Sequence, residues 1–113
     1  MPYIHIVTNE SVSDSAAQVI KAGLGQAISA IPGKTEQWLM VSLTPEAMLW
    51  FAGSDEPAAM VDISFYGGAD SESYDTLTGR VSDILQSALA LCPERIYVKY
   101  SATPDWGWNS HNF

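Results

Sequence analysis

The sequence predicts an α/β fold of the α+β type, in which two strand–helix–strand (βαβ) units form a four-stranded mixed sheet with both helices on one face. Three observations support it. Runs of β-branched and aromatic residues alternate with helical patterns, and the order strand, helix, strand occurs twice. The junctions before the second strand of each unit also match, Ile31 to Lys34 in one unit and Leu91 to Arg95 in the other. An internal duplication explains this repetition better than chance.

The first unit begins with a short β-branched strand, Tyr3 to Val7, which places Pro2 at the mouth of the strand. From Ser13, apolar residues recur at steps of three and four, as one face of a helix requires, until Pro32-Gly33 ends the pattern. This stripe comprises Val19, Ile20, Leu24, Ala27, Ile28 and Ile31. A second strand is predicted from Trp38 to Leu43, parallel to the first, because a single helix connects the two.

The second unit repeats this plan after a stretch rich in turn residues. Ala58 to Tyr66 is predicted as a strand that Gly67-Gly68 closes. A helix follows from about Ser71, and the last main strand is Arg95 to Ser101. The apolar stripe of this helix comprises Tyr74, Leu77, Val81, Ile84, Leu85 and Ala88.

Two helices on one face leave the other face of the sheet uncovered. The strands Trp38 to Leu43 and Ile96 to Tyr100 are interpreted as apolar on both sides, so the second face is expected to contact another subunit. The sequence therefore predicts an oligomer.

Length and composition predict one domain, residues 1–113, and exclude several classes of function. With 47% hydrophobic and 16% charged residues, the chain can bury enough surface to fold. The net charge of −8 and the scattered basic residues argue against a nucleic-acid partner. No apolar run approaches the roughly 20 residues that span a bilayer, and no signal peptide precedes the first strand, so no membrane partner is predicted. A cytoplasmic location is expected, with leaderless secretion left open.

The sequence predicts no metal site and no cofactor. His5 and His111 have no neighbours at metal-ligand spacing, and Cys92, the single cysteine, is interpreted as a packed thiol. No phosphate-binding glycine loop and no nucleophile elbow are present.

Six motifs, in one order along the chain, carry a resemblance to a known family. They are Met1-Pro2, Gly33-Lys34, Phe51 to Pro57, Tyr74, Arg95 to Val98, and Gly107-Trp108-Asn109 through Phe113. Together they resemble the macrophage migration inhibitory factor and D-dopachrome tautomerase family over essentially the whole chain. The resemblance implies a homotrimer in which three four-stranded sheets surround a central channel. It also implies that Pro2, exposed once Met1 is removed, is the catalytic base.

The chemistry of an N-terminal proline agrees with that role. Free α-amines titrate near roughly 7.7 to 8.0. Aromatic surroundings disfavour the ammonium form and lower the pKa, leaving a neutral base at pH 7 that could move a proton next to a carbonyl without a cofactor. The side chains expected to line this pocket are Tyr3, Trp38, Phe65, Tyr97, Trp106 and Phe113.

The resemblance also assigns substrate-binding residues. Lys34 matches a pocket lysine that pairs with a substrate carboxylate or enolate oxygen, although a lysine here could equally complement the helix C-terminus. Phe65 and Tyr66 match the strand positions that face substrate. Tyr97 matches a tyrosine that reaches the site of the adjacent subunit, against the alternative of ordinary strand packing. Lys99 stands where the mammalian protein has a neutral asparagine, so it could attract an acidic substrate or depress the proline pKa.

These assignments predict a keto–enol tautomerase acting on small aromatic keto acids of the phenylpyruvate type or on dopachrome-like compounds. The alternative is a cytokine-like signalling or host-interaction protein with a vestigial tautomerase pocket and an unknown receptor. The mammalian Cys-x-x-Cys motif is replaced by Ala58-Ala59-Met60-Val61, so no thiol oxidoreductase activity is implied.

Overall fold

The computed structural model describes residues 1–113 and contains the two predicted strand–helix–strand units. The strands are β1 (Pro2–Thr8), β2 (Met40–Thr44), β3 (Ala59–Tyr66), β4 (Ile96–Thr103), β5 (Gly107–Trp108) and β6 (His111–Asn112), and the α-helices are α1 (Asp14–Ala27) and α2 (Ser71–Leu89). Short 3-10 turns cover Ile28–Ala30, Glu36–Trp38 and Pro93–Arg95. Neither α-helix is long and apolar enough to cross a membrane.

The main sheet has the order β2-β1-β3-β4. Each unit contributes a parallel pair, β1 with β2 and β3 with β4, and the two units join through the antiparallel pair β1 and β3. In that central pair Pro2 lies opposite Phe65. Strands β5 and β6 form a separate small hairpin near the chain end. The predicted fold class and the parallel pairings are thus confirmed.

Local sequence signals set the ends of both helices. Ser13 caps α1 by accepting a hydrogen bond from the Ala16 N–H at 3.1 Å, and Asp70 caps α2 by accepting from the Ser73 N–H at 2.7 Å. Hydrogen bonding from Ser73 stabilises the ionised carboxylate of Asp70 and lowers its pKa. Helix α2 ends where Ala90 adopts a left-handed conformation, with φ of 55°.

The helices pack on one face of the sheet around one apolar core. Its fully buried side chains include Ile4, Ile6, Ile20, Leu24, Ile28, Ile63, Phe65, Leu77, Val81 and Leu85. Gly23 lets the helices approach closely, because a Cβ at this position would lie 2.9 Å from Ile84 Cγ1. Val19, predicted on the buried stripe, is 53% exposed. That assignment is wrong because the helix turns about 100° per residue, which carries Val19 away from Ile20 and the core.

The uncovered face of the sheet is predominantly polar, so the prediction of a second apolar face is wrong. Strands β1, β3 and β4 alternate between buried and accessible residues, as expected for a sheet with only one covered face. The uncovered face is called here the open face. Its polar residues are Tyr3, His5, Ser42, Thr44, Asp62, Ser64, Tyr66, Tyr97, Lys99, Ser101 and Thr103, and its apolar residues are Val7, Met40 and Met60.

Two smaller predictions are also corrected. Strand β2 begins at Met40 rather than Trp38, because the Trp38 N–H donates to the Thr35 carbonyl oxygen at 3.2 Å and closes a turn. Cys92 is exposed rather than packed, since it lies in the connection between α2 and β4.

Candidate functional site

The amino-terminal end of β1 lies at the centre of the sheet, between β2 and β3. Pro2 is buried there, beneath Met1. The Met1 carbonyl oxygen accepts a hydrogen bond from the Tyr66 N–H at 3.1 Å. Removal of Met1 would therefore leave two groups facing the vacated space: the amine of Pro2 and the N–H of Tyr66.

Lys34 provides a cation at the same place. Gly33, with φ of +80°, turns the chain after Pro32 and directs the half-buried Lys34 toward the sheet, where its Nζ donates to the Tyr66 carbonyl oxygen at 2.9 Å. The pKa of the Met1 amine falls from 8.0 to about 6, first because burial penalises the ammonium form and second because Lys34 repels the added proton. The site thus favours a neutral amine at pH 7.

Aromatic rings surround this end of the chain. The rings of Tyr66 and Phe113 are tilted, with centroids 5.3 Å apart, and those of Phe113 and Trp108 stack at 6.3 Å. Trp108 also contacts Trp38 edge-on at 5.0 Å. The Phe113 N–H donates to the Trp106 carbonyl oxygen at 3.0 Å, which closes the tail over the site. Flat apolar walls of this kind suit an aromatic ligand.

Two neighbouring cavities meet at Met1. One, of about 250 Å³, is lined by Met1, Gly33, Trp38, Tyr66 and Phe113. The other, of about 670 Å³, is lined by Met1, Pro2, Tyr3, Gln37, Trp38, Leu39, Met40, Val41, Ser42, Trp106, Gly107 and Trp108. The structure therefore brings together most of the predicted site: Pro2, Tyr3, Lys34, Trp38, Tyr66, Trp106 and Phe113.

Phe65 does not belong to this site. Its side chain is fully buried and stacks in the core against Tyr74 at 5.8 Å and Tyr100 at 6.3 Å. Successive residues of a strand point to opposite faces, so Phe65 points toward the helices while Tyr66 points away from them. Its predicted role in substrate binding and pocket lining is corrected to a core role.

Tyr97 lies far from Pro2 in the same chain. Tyr97 lies opposite Met60 on β3, and Met60 lies opposite Val7 on β1, five residues from Pro2. Tyr97 and Pro2 are therefore separated by about 17 Å along the strands and by two spacings between neighbouring strands. Its ring packs against Phe51, with centroids 4.6 Å apart, and is 62% exposed. No single chain can bring this hydroxyl to its own amino terminus.

Lys99 is also remote from Pro2. It lies on the open face of β4, where its Nζ is 3.4 Å from Asp62 Oδ2. Neither Tyr97 nor Lys99 lines the cavities at Met1 of the same chain.

Trp108 is a site residue that the sequence assignment missed. It contacts both Trp38 and Phe113, and it lines the larger cavity. Its place in the Gly107-Trp108-Asn109 motif was the sequence signal that could have identified it.

A neutral amine, a nearby ammonium, a backbone N–H and aromatic walls together equip the site for proton transfer on an aromatic carbonyl compound. No group of three or more His, Cys, Asp or Glu side chains is placed to hold a metal ion.

The fold and site define a class of small duplicated βαβ proteins whose N-terminal amine lies in an aromatic cavity. Residues 1–112 match the family model described as Macrophage migration inhibitory factor (MIF). The chain therefore belongs to the macrophage migration inhibitory factor family, as the sequence motifs predict.

Individual relatives agree over nearly their full lengths. The macrophage migration inhibitory factors of Meriones unguiculatus and Mus musculus are 30% and 27% identical, and each alignment covers 100% of this chain and 99% of the relative. The crystal structure of Leishmania major MIF2 is 28% identical with a TM-score of 0.93, covering 100% of this chain and 97% of that one. A homologue from Prochlorococcus marinus, 24% identical with a TM-score of 0.89 and 98% of each chain covered, supports the fold alone.

Proposed function

We propose that the protein is a cofactor-free keto–enol tautomerase whose general base is the amine of Pro2, exposed by removal of Met1. The observation that carries this proposal is the lowered pKa of the amine at the chain start, about 6 rather than 8.0, within an aromatic cavity beside Lys34. Pro2 lies one residue deeper than Met1, so its amine is expected to titrate low for the same two reasons.

The proposed reaction moves one proton. The neutral Pro2 nitrogen removes a proton from the carbon next to a ketone, and the electrons of that C–H bond form the enolate. The same proton then returns to the enolate oxygen from the Pro2 ammonium, which restores the neutral base. The Lys34 Nζ and the Tyr66 N–H, which the Met1 carbonyl no longer occupies, are placed to donate to an enolate oxygen or a substrate carboxylate.

The aromatic walls favour small aromatic keto acids of the phenylpyruvate type, with dopachrome-like compounds as surrogates. Trp38, Trp108 and Phe113 present ring faces and edges on one side of the amine. A ligand ring packed against these side chains gains apolar burial and favourable ring geometry.

We further propose that the active assembly is a homotrimer in which a neighbouring chain contributes Tyr97 and Lys99. The distance between Tyr97 and Pro2 within a chain supports this arrangement. So does the exposure of large apolar side chains, including Met48 at 85%, Met40 at 67% and Trp50 at 60%. Burial of these exposed apolar side chains against a partner would be favourable.

The test is a tautomerase assay on purified protein whose intact mass confirms that Met1 is absent. Pro2→Ala replaces the secondary amine by a primary amine of different basicity and orientation. It should reduce kcat/KM for phenylpyruvate by at least about tenfold, which is part of the about 10² to 10⁴-fold that general-base catalysis contributes. Pro45→Ala is the matched control, since Pro45 is exposed in the loop after β2. Absence of turnover in the trimmed wild type would contradict the enzyme proposal and favour the alternative of a signalling or host-interaction protein.

A further inference from the structure

We infer that Asp62 sets how strongly the proposed site attracts an anionic substrate, by pairing with Lys99. This inference rests on the proposed tautomerase and on its use of Tyr97 and Lys99 from a neighbouring chain. Asp62 is a positioning residue in this account, because it acts through the ammonium of Lys99 and does not itself touch the reacting atoms.

The Asp62–Lys99 contact is the single ion pair of the chain. The chain contains 13 acidic residues but only five basic ones, so most carboxylates have no cationic partner. Lys34 and Arg95 instead donate to backbone carbonyl oxygens. Lys99 is therefore the one cation whose charge a carboxylate compensates directly.

The register of the sheet explains why Asp62 and Lys99 pair. Asp62 lies directly opposite Lys99 on β4 and directly opposite His5 on β1, all three on the open face. His5 is engaged elsewhere, because its Nε2 lies 3.1 Å from Thr44 Oγ1. The carboxylate of Asp62 consequently has Lys99 as its only cationic partner.

Lys99 and Tyr97 share the open face, two residues apart on β4. A chain that presents Tyr97 to its neighbour's amine therefore presents Lys99 beside it, with Asp62 Oδ2 only 3.4 Å from the ammonium. The paired charges nearly cancel, so the substrate experiences far less attraction than a lone lysine would exert.

The pair is also free to rearrange. The side chains of Lys99 and Asp62 are 58% and 42% exposed, and exposed pairs of this kind contribute little to stability. Lys99 can thus exchange Asp62 for a substrate carboxylate. Neutralising Asp62 should strengthen the binding of anionic substrates without altering the fold.

The experiment measures KM and kcat of trimmed protein for phenylpyruvate and for its neutral methyl ester. We expect Asp62→Asn to lower KM for the free acid about threefold, with kcat and the ester constants unchanged, because only a charged substrate responds to the released ammonium. Asp83→Asn makes the same change in net charge on the exposed surface of α2 and should alter neither KM. In a Lys99→Gln background, Asp62→Asn should have no effect on the free acid.

A purely structural role for Asp62 predicts other results. If the pair only links β3 to β4, Asp62→Asn changes both substrates equally, or changes neither while lowering the unfolding midpoint; each result overturns the inference. An effect of Asp62→Asn on the free acid that persists in the Lys99→Gln background also overturns the inference. Trimmed wild-type protein without turnover would remove the proposed function and the inference together, whereas an active wild type with an unresponsive Asp62→Asn removes the inference alone.

Discussion

Replacing Arg95 by lysine should destabilise the loop that supports the ring of Tyr97. The guanidinium donates to the carbonyl oxygens of Pro57 at 3.0 Å and of Phe51, Ser54 and Glu56 at 3.1 Å each. Its central carbon also lies 5.3 Å from the centre of the Phe51 ring. Lysine keeps the charge but cannot reproduce this planar, four-bond geometry.

The size of the effect follows from the burial of those bonds. The bonds to Phe51 and Ser54 are partly buried, while those to Pro57 and Glu56 are exposed. A net contribution of about 1 kcal/mol for each partly buried bond, and less for each exposed one, gives a loss of about 2 kcal/mol for Arg95→Lys. The cation–π contact contributes about 0.5–1 kcal/mol at an accessible site.

Urea denaturation at a fixed protein concentration measures this loss, and the fixed concentration matters because assembly would couple to unfolding. Arg80→Lys is the matched control, because Arg80 is exposed on α2 and should change stability by less than about 0.5 kcal/mol. An Arg95→Lys variant as stable as the Arg80→Lys variant would show that the four hydrogen bonds of Arg95 do not stabilise the fold.

Three further perturbations test other parts of the account. Burial and, after it, the charge of Lys34 lower the pKa of the Met1 amine, and the Pro2 amine is expected to respond in the same way. Lys34→Met should therefore move the rise of kcat/KM with pH to higher pH, and an unmoved profile would show that Lys34 does not act on the base. Trp108→Ala should raise KM for phenylpyruvate about tenfold with little change in kcat, because Trp108 lines the cavity. A fall confined to kcat would contradict the role of Trp108 in binding the substrate ring. Phe65→Leu should lower the free energy of unfolding by about 1–3 kcal/mol through lost stacking on Tyr74 and Tyr100, and an unchanged urea midpoint would contradict the core assignment.

The sequence predicted those parts of the fold that local patterns determine. Ser13 and Pro32-Gly33 bracket the first helical region because capping and chain-breaking depend on neighbouring residues alone. The parallel pairings followed from the connection of each strand pair by one helix. These signals act over short distances, so a single sequence was sufficient.

The errors arose where the outcome depends on contacts remote in sequence. Trp38 has strand-like neighbours, but its N–H closes a turn and its ring meets Trp108 seventy residues later. The open face was interpreted as apolar because the strands Trp38 to Leu43 and Ile96 to Tyr100 read as apolar on both sides, whereas alternation directs the polar side chains of Tyr97 and Lys99 away from the core.

The candidate site was only partly predictable for the same reason. Motifs identified Pro2 and Lys34, which the fold brings to the same end of the sheet, around Met1 and Tyr66. The position of Phe65 required an exact strand register, and an error of one residue exchanges the two faces of a strand. The proposed roles of Tyr97 and Lys99 require a neighbouring chain, which local sequence patterns do not specify.

The role of the Pro2 amine as the base can be tested by comparing two forms of the protein that differ only at the chain start. One form is trimmed to Pro2, and the other carries an N-terminal extension that turns the Pro2 nitrogen into an amide, which is not basic; intact mass verifies both. We expect trimmed protein to tautomerise phenylpyruvate and the extended form to lose this activity. The kcat/KM of trimmed protein should rise with pH through a value below the ordinary amine pKa of 8.0. Equal turnover by the two forms would show that the amine of Pro2 is not the base.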